Sequence, residues 1–213
     1  KTRLAKGIGK VEAWRRHRAM TATLLRRLQD PRWETVITLS PDRALDRRFP
    51  NVWPDDLPRA LQGGGDLGAR QARVFARRAP VCVIGSDAPQ ITRADIASAF
   101  SGLKRNDAVI GPAEDGGYWL LALNGPAPDA LFDGMRWSHA DTRSDLVRQL
   151  SLHGLERVKR LRPCGMWTRR RIYSDASFAL RLNKSCQLLA FSCGRRSRKA
   201  GDTSAGLQSP SRR

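Results

Sequence analysis

Two strand-like segments of this chain run directly into short loops that carry carboxylates and glycines. Val81-Cys82-Val83-Ile84 leads into Gly85-Ser86-Asp87-Ala88-Pro89, and Ala108-Val109-Ile110 leads into Gly111-Pro112-Ala113-Glu114-Asp115-Gly116-Gly117-Tyr118. Carboxylates at the C-terminal ends of strands stand where open α/β sheets build their ligand sites. An Asp there can hold a hard cation such as Mg²⁺ or Mn²⁺ against phosphate oxygens. Glycines beside it let a ligand approach the backbone without meeting a side chain. Either loop alone also fits a turn Asp that closes a strand. Two in tandem favour a ligand site.

Alternating elements must position these loops. Val11, Trp14, Thr21, Leu24, Leu25 and Leu28 fall near one face of a helix over 10–28, which Pro31 ends. Thr35 to Leu39 reads as a strand, and Gly63-Gly64-Gly65-Asp66 as a flexible loop opening a helix from Leu67 to about Arg78. A helix from Thr92 to Leu103 follows the strand at 81–84, with Thr92 as N-cap and Asp95 at N3 in place of the Glu of a capping box. Strands at 107–110 and Tyr118 to Leu123 precede a helix from Asp141 to Leu152, introduced by Ser138. Such alternation predicts an α/β fold with a mostly parallel sheet and helices on both faces. No internal repeat is visible.

The chain has 213 residues and a net charge of +19. That length suits one sizeable domain with a buried core. No apolar run approaches a membrane span. The four cysteines (Cys82, Cys164, Cys186, Cys193) form no CxxC pair, which argues against a zinc site or a disulfide framework and predicts a reducing, cytoplasmic setting. The charge is uneven. Leu155 to Tyr173 and Asn183 to the end each carry seven Lys/Arg against a single acidic residue, and together they hold +12 of the +19. Gly194 to Arg213 is Gly/Ser/Arg-rich and predicted to be disordered. The predicted organisation is therefore a domain over 1–182 and a basic, largely disordered tail over 183–213. A mildly basic body, with no aromatics interleaved among its arginines, argues against nucleic acid as the main partner. His17, His139 and His153 are too scattered for a metal triad, and no Ser-His-Asp or Cys-His arrangement is readable.

Five runs together resemble a known family: KTRL (1–4), QGGGDLGAR (62–70), GSDAP (85–89), GPAEDGGYWLLAL (111–123) and LFDGMRWS (131–138). They are similar to bacterial GT-A-like transferases associated with radical-SAM and selenocysteine-related proteins. That family is glycosyltransferase-like and distantly similar to molybdenum-cofactor guanylyltransferases and 2-phospholactate guanylyltransferase. The resemblance spans roughly residues 1 to 150. It implies that Lys1 and Arg3 neutralise nucleotide phosphates. Gly65, Asp66 and Gly68 would lie beside the base or ribose, although Asp66 also fits a plain helix N-cap. Asp87 would hold Mg²⁺ or Mn²⁺. Glu114 and Asp115 would face the acceptor or sugar as base or hydrogen-bond acceptors, and Gly116 and Gly117 would let the ligand lie against the backbone. Trp137 and Ser138 could line the acceptor side, or serve as a buried Trp before a helix start. The implied partners are a nucleotide or nucleotide-sugar and a small-molecule acceptor. Sugar transfer from a nucleotide-sugar, nucleotidyl transfer from a triphosphate, and an inactive relative acting as a basic binding module all remain open.

Two departures from the family pattern stand out. Such folds begin with a strand and a glycine turn before KTRL, so the first strand is expected to be missing and to leave a central gap in the sheet. A late Asp-x-Asp-like pair is also expected, yet its counterpart, Arg171 to Phe178, places Arg171 and Tyr173 where carboxylates should stand. A cation there would repel a metal ion. Either Asp175 substitutes through a local shift, or the site is impaired, or the sequence near 155–175 is divergent or erroneous.

Overall fold

A strand that is apolar at consecutive positions must be covered on both faces, and the middle of this sheet is built that way. The computed structural model describes residues 9–47, 49, 51–76, 79–86, 88–164 and 188–192. Seven strands form one sheet: β1 (Glu34–Leu39), β2 (Arg59–Leu61), β3 (Val81–Gly85), β4 (Ala108–Pro112), β5 (Tyr118–Leu123), β6 (Val158–Arg160) and β7 (Leu188–Ser192). Their spatial order is β2-β1-β7-β3-β5-β4-β6. β1, β2, β3, β4 and β6 point one way, and β5 and β7 run against them. The sheet is thus parallel in the direction of most strands but mixed in its pairing. The turn over 113–117 explains β5, because so short a connection can only return antiparallel.

Four helices cover the sheet: α1 (Lys10–Leu28), α2 (Leu67–Ala76), α3 (Arg93–Leu103) and α4 (Thr142–Leu152). Leu24, Leu25 and Leu28 of α1 and Ile96, Ala99 and Leu103 of α3 pack with Cys82, Ile84, Val109, Leu120 and Phe191 on one face. Val74 and Phe75 of α2 and Leu146 and Leu150 of α4 pack with Val81, Val83, Ile110 and Leu121 on the other. Neighbouring positions of β3 therefore feed opposite layers, as period-two strands require. Trp119 and Leu120 both join the first layer, because the β4–β5 ladder slips at Gly111/Pro112. No helix among the described residues is long and apolar enough to cross a membrane.

Four expectations need correction. Leu188–Ser192 falls in the segment read as tail, yet it forms β7 between β1 and β3, antiparallel to both. Leu189 and Phe191 are fully buried, so a local apolar run outweighs its basic surroundings. The same strand occupies the position where a central gap was expected. On α1, Val11 and Trp14 share the apolar side in projection but are exposed, with Arg18 stacked on the Trp14 ring at 4.3 Å. Finally, Ser138 does not cap α4. It lies in the preceding loop at φ 60, and Asp141 is the residue before the helix. The late segment containing Arg171, Tyr173 and Asp175 and the remainder of 183–213 lie outside the described residues.

Candidate functional site

Because β1, β2, β3, β4 and β6 share a direction, the loops that follow them gather along one edge of the sheet. That edge carries Gln62 to Gly68, Ser86, Ala88 and Pro89, Ala113 to Gly117 and Leu161 to Cys164. Lys1, Arg3 and Asp87 lie outside the described residues. Gly65, Asp66, Gly68, Glu114, Asp115, Gly116 and Gly117 all lie on this edge.

The hairpin over 113–117 is the best-defined part. Ala113 N–H donates to Gly117 O at 3.0 Å, and Gly116 N–H returns to Ala113 O at 3.2 Å. Gly117 N–H also donates to Asp115 Oδ1 at 3.2 Å, so Asp115 closes an Asx-type turn. Gly116 sits at φ +86, and a Cβ there would lie 1.9 Å from Ala140 O. Only glycine fits. On the α4 side, Arg143 N–H donates to Gly116 O at 2.9 Å, and its guanidinium donates to Ala113 O at 3.2 Å. On the other side, Glu114 N–H donates to Cys164 O at 3.4 Å. Glu114 is exposed, and among the described residues no side chain binds its carboxylate. Its backbone is fixed and its acid group is open to a ligand.

Cys164 is placed by a longer chain of contacts. Leu161 N–H donates to Ile110 O at 2.9 Å and Cys164 N–H to Pro112 O at 3.0 Å, so the chain after β6 continues alongside β4. Within that stretch, the Arg162 guanidinium forks onto both oxygens of Asp95, at 2.9 and 2.8 Å. Asp95 also completes the capping box of α3, accepting from Thr92 N–H at 2.8 Å while Thr92 Oγ1 accepts from Asp95 N–H. Burial pushes the Asp95 carboxyl upward, but Arg162 and Thr92 outweigh it and the net shift is downward. Burial alone raises the Cys82 thiol, and it also outweighs the neighbours of Cys164, so neither sulfur is an activated nucleophile.

The glycine loop before α2 lies on the same edge. Asp66 Oδ1 accepts from Ala69 N–H at 2.8 Å, which makes Asp66 the N-cap of α2. Gly65 takes φ +92, and a Cβ there would sit 2.9 Å from the Ala69 Cβ. Gly68 is buried against Phe132, where a Cβ would come within 3.1 Å of the carbonyl oxygen. Gly65 and Asp66 remain exposed, and Gly68 serves packing. Gln71, one turn on, accepts from Tyr118 O–H at 3.0 Å and so ties α2 to the first residue of β5. Trp137 is half-buried and packs near Phe132, with ring centroids 6.4 Å apart. Ser138 is exposed.

Asp95, Arg162, Arg143 and Gln71 are the residues sequence reasoning missed as parts of this edge. Asp95 was visible only as a cap. Its partner stands 67 positions away, and no local pattern signals such a pair. Among the described residues no cluster of three or more His, Cys, Asp or Glu side chains could hold a metal ion.

A bacterial family described as "Uncharacterized protein conserved in bacteria (DUF2064)" matches residues 23–139. The chain belongs to the DUF2064 family. The matched span of this DUF2064 protein takes in the glycine loop before α2 and both carboxylate loops, and it stops just before α4. A solved structure from Desulfovibrio desulfuricans G20, described as a "putative nucleotide-diphospho-sugar transferase", is similar over 76% of this chain and 73% of its own. The two are 29% identical, with a TM-score of 0.68. That similarity, with helices on both faces of a seven-stranded sheet, shows a GT-A-like fold. None of the curated proteins matches the sequence.

Proposed function

We propose that this DUF2064 protein is a nucleotide-dependent transferase that moves a sugar from a nucleotide-sugar to an acceptor hydroxyl. The observation that carries this reading is the placement of Glu114. Its exposed carboxylate rides on a braced, glycine-containing hairpin at the edge where β1, β3 and β4 all end. The similar Desulfovibrio structure, by its description, adds the class of donor. In the reaction, the acceptor oxygen forms a bond to the anomeric carbon of the sugar. The bond from that carbon to the diphosphate oxygen breaks, and the nucleoside diphosphate leaves with the electron pair. The hydroxyl proton passes to Glu114 as general base. Asp115 already spends one oxygen on its own turn and acts as a shaping residue.

The exposed Gly65-Asp66 loop is the proposed contact for base or ribose. Lys1 and Arg3 are proposed to neutralise the phosphates, and Asp87 to hold Mg²⁺ or Mn²⁺. The described residues offer no metal ligand set, and no step above depends on one.

The test is a thermal-shift and calorimetric screen of nucleoside diphosphates and nucleotide-sugars, with and without Mn²⁺, followed by measurement of nucleoside diphosphate release. Glu114→Gln should lower turnover by about 10²-fold while leaving donor affinity nearly unchanged. A folded parent protein that binds none of these nucleotides at millimolar concentration sinks the reading. Pyrophosphate release from a nucleoside triphosphate would replace sugar transfer with nucleotidyl transfer, as the distant likeness to guanylyltransferases would then imply.

A further inference from the structure

A shallow groove of about 560 Å³ runs between α4 and β6. Arg143, Ser144, Val147, Arg148, Leu152 and Arg160 line it. No carboxylate does. Arg143 and Ser144 stand in the first turn of α4, where the helix macrodipole is already positive. A cation in that turn opposes helix stability, and Arg143 adds its charge to the positive potential that the helix N-terminus already supplies. Asp145, paired with Arg148 at 3.9 Å, offsets that charge only in part. Both Asp145 oxygens take bonds from Arg136, at 2.8 and 2.9 Å, while Arg148 stands beyond hydrogen-bond reach. Arg160 is exposed at the end of β6, with no carboxylate partner among the described residues. Three arginines and two serines, Ser144 and Ser151, thus line one groove, and guanidinium is the group that matches phosphate and carboxylate geometry.

The groove is also continuous with the site. Arg143 lines it and at the same time holds Gly116 O and Ala113 O, on either side of Glu114. Val147 and the largely exposed Leu152 give it an apolar wall.

We infer that this groove seats the anionic group, phosphate or carboxylate, of the acceptor substrate, whose hydroxyl then reaches the hairpin. This rests on the transferase reading above and narrows the acceptor to an anionic small molecule with an apolar portion.

Titration of the full chain with inorganic phosphate, followed by the amide NMR signals of Ser144 and Arg148 at constant ionic strength, tests it. The parent should show saturable shifts. Arg148→Ala/Arg160→Ala should weaken phosphate binding by about tenfold or more, because two charge-assisted contacts are lost. Arg148→Gln/Arg160→Gln should do the same and guards against an effect on α4 itself. Affinity for a nucleoside diphosphate, read on the Gly65 and Gly117 amides, should change by less than about twofold, because the donor lies elsewhere on the edge. Equal phosphate binding in parent and variants overturns the proposal. A parallel loss of nucleoside diphosphate affinity also overturns it, because the groove would then belong to the donor. Binding to phosphatidylglycerol vesicles without binding of free phosphate overturns it in favour of a membrane surface. A parent that binds phosphate in the groove but no nucleotide would sink the transferase reading and the acceptor assignment, leaving an anion site alone.

Discussion

The hairpin over 113–117 is held from two flanks, and the two are built on different physics. On the α4 flank the hold is steric and direct. Gly116 lies against Ala140 with no room for a methyl group, and Arg143 bonds two carbonyls of the hairpin. On the α3 flank the hold is electrostatic and relayed. Asp95 grips Arg162, Arg162 fixes the chain after β6, and Cys164 O receives Glu114 N–H. A contact made by backbone shape is all-or-none, because close-packed atoms do not yield gradually. An ion pair with a half-exposed Arg162 is graded, and it responds to pH and salt. Glu114 thus sits between a rigid wall and an adjustable one.

The largest effect is expected from breaking the rigid flank. Gly116→Ala combines a left-handed backbone with a clash against a carbonyl and should cost about 3 kcal/mol or more, read by denaturant unfolding. A loss below about 1 kcal/mol would mean that the loop over 136–141 moves aside easily.

Asp95→Ala should cost about 1–2 kcal/mol, because it removes the Asp95 half of the α3 capping box and the partner of the half-exposed Arg162 together. The same variant should speed hydrogen exchange at the Glu114 amide while Gly116 and Arg143 stay protected. Equal exchange at all three would erase the distinction between the flanks.

Acid should separate them as well. Asp95 and Asp145 both have carboxyls held below the ordinary 3.8, Asp145 further down because Arg136 grips it. A lowered folded pKa gives stability that is present above the unfolded value and is lost as pH falls through the folded one. Acidification below about pH 4 should therefore release the Asp95–Arg162 hold of the α3 flank first and the Arg136–Asp145 pair beside the α4 flank last. Arg162→Met should shift the first step to higher pH, because the upward push of burial on Asp95 is then less opposed. A single step for both flanks, monitored by amide signals on each side, would contradict the ordering.

The smallest effect on stability is expected at the tip. Asp115→Asn keeps an acceptor oxygen for Gly117 N–H and should change stability by less than about 0.5 kcal/mol. An Asp115→Asn chain that unfolds as easily as Gly116→Ala would show that its charge, not its turn, holds the hairpin.

Most of what could be read locally holds, Ser138 as the start of α4 excepted, and the reasons are particular. The Thr92–Asp95 box lies within one helical turn, so four consecutive residues disclose it. Val81 to Ile84 and Ala108 to Ile110 are apolar at every position, which in a strand means burial on both faces. Asp66 just before a helical run is a cap by its own chemistry. The Trp14 misreading has a different origin. Helical periodicity tells which side of α1 an apolar residue faces, but not whether the rest of the protein reaches that turn.

By itself the sequence determined the identity of most elements and most of their apolar sides, because propensity, capping and period act over a few residues. Only the tertiary structure decided that Leu188–Ser192 enters the sheet between β1 and β3, that Arg162 meets Asp95, and that Gly116 must accommodate Ala140. Each of these joins residues well apart in the chain, and the energy that selects them is the burial of apolar strands and the pairing of charges across that distance. Such energies exist only once the chain has folded, so no window along the sequence contains them.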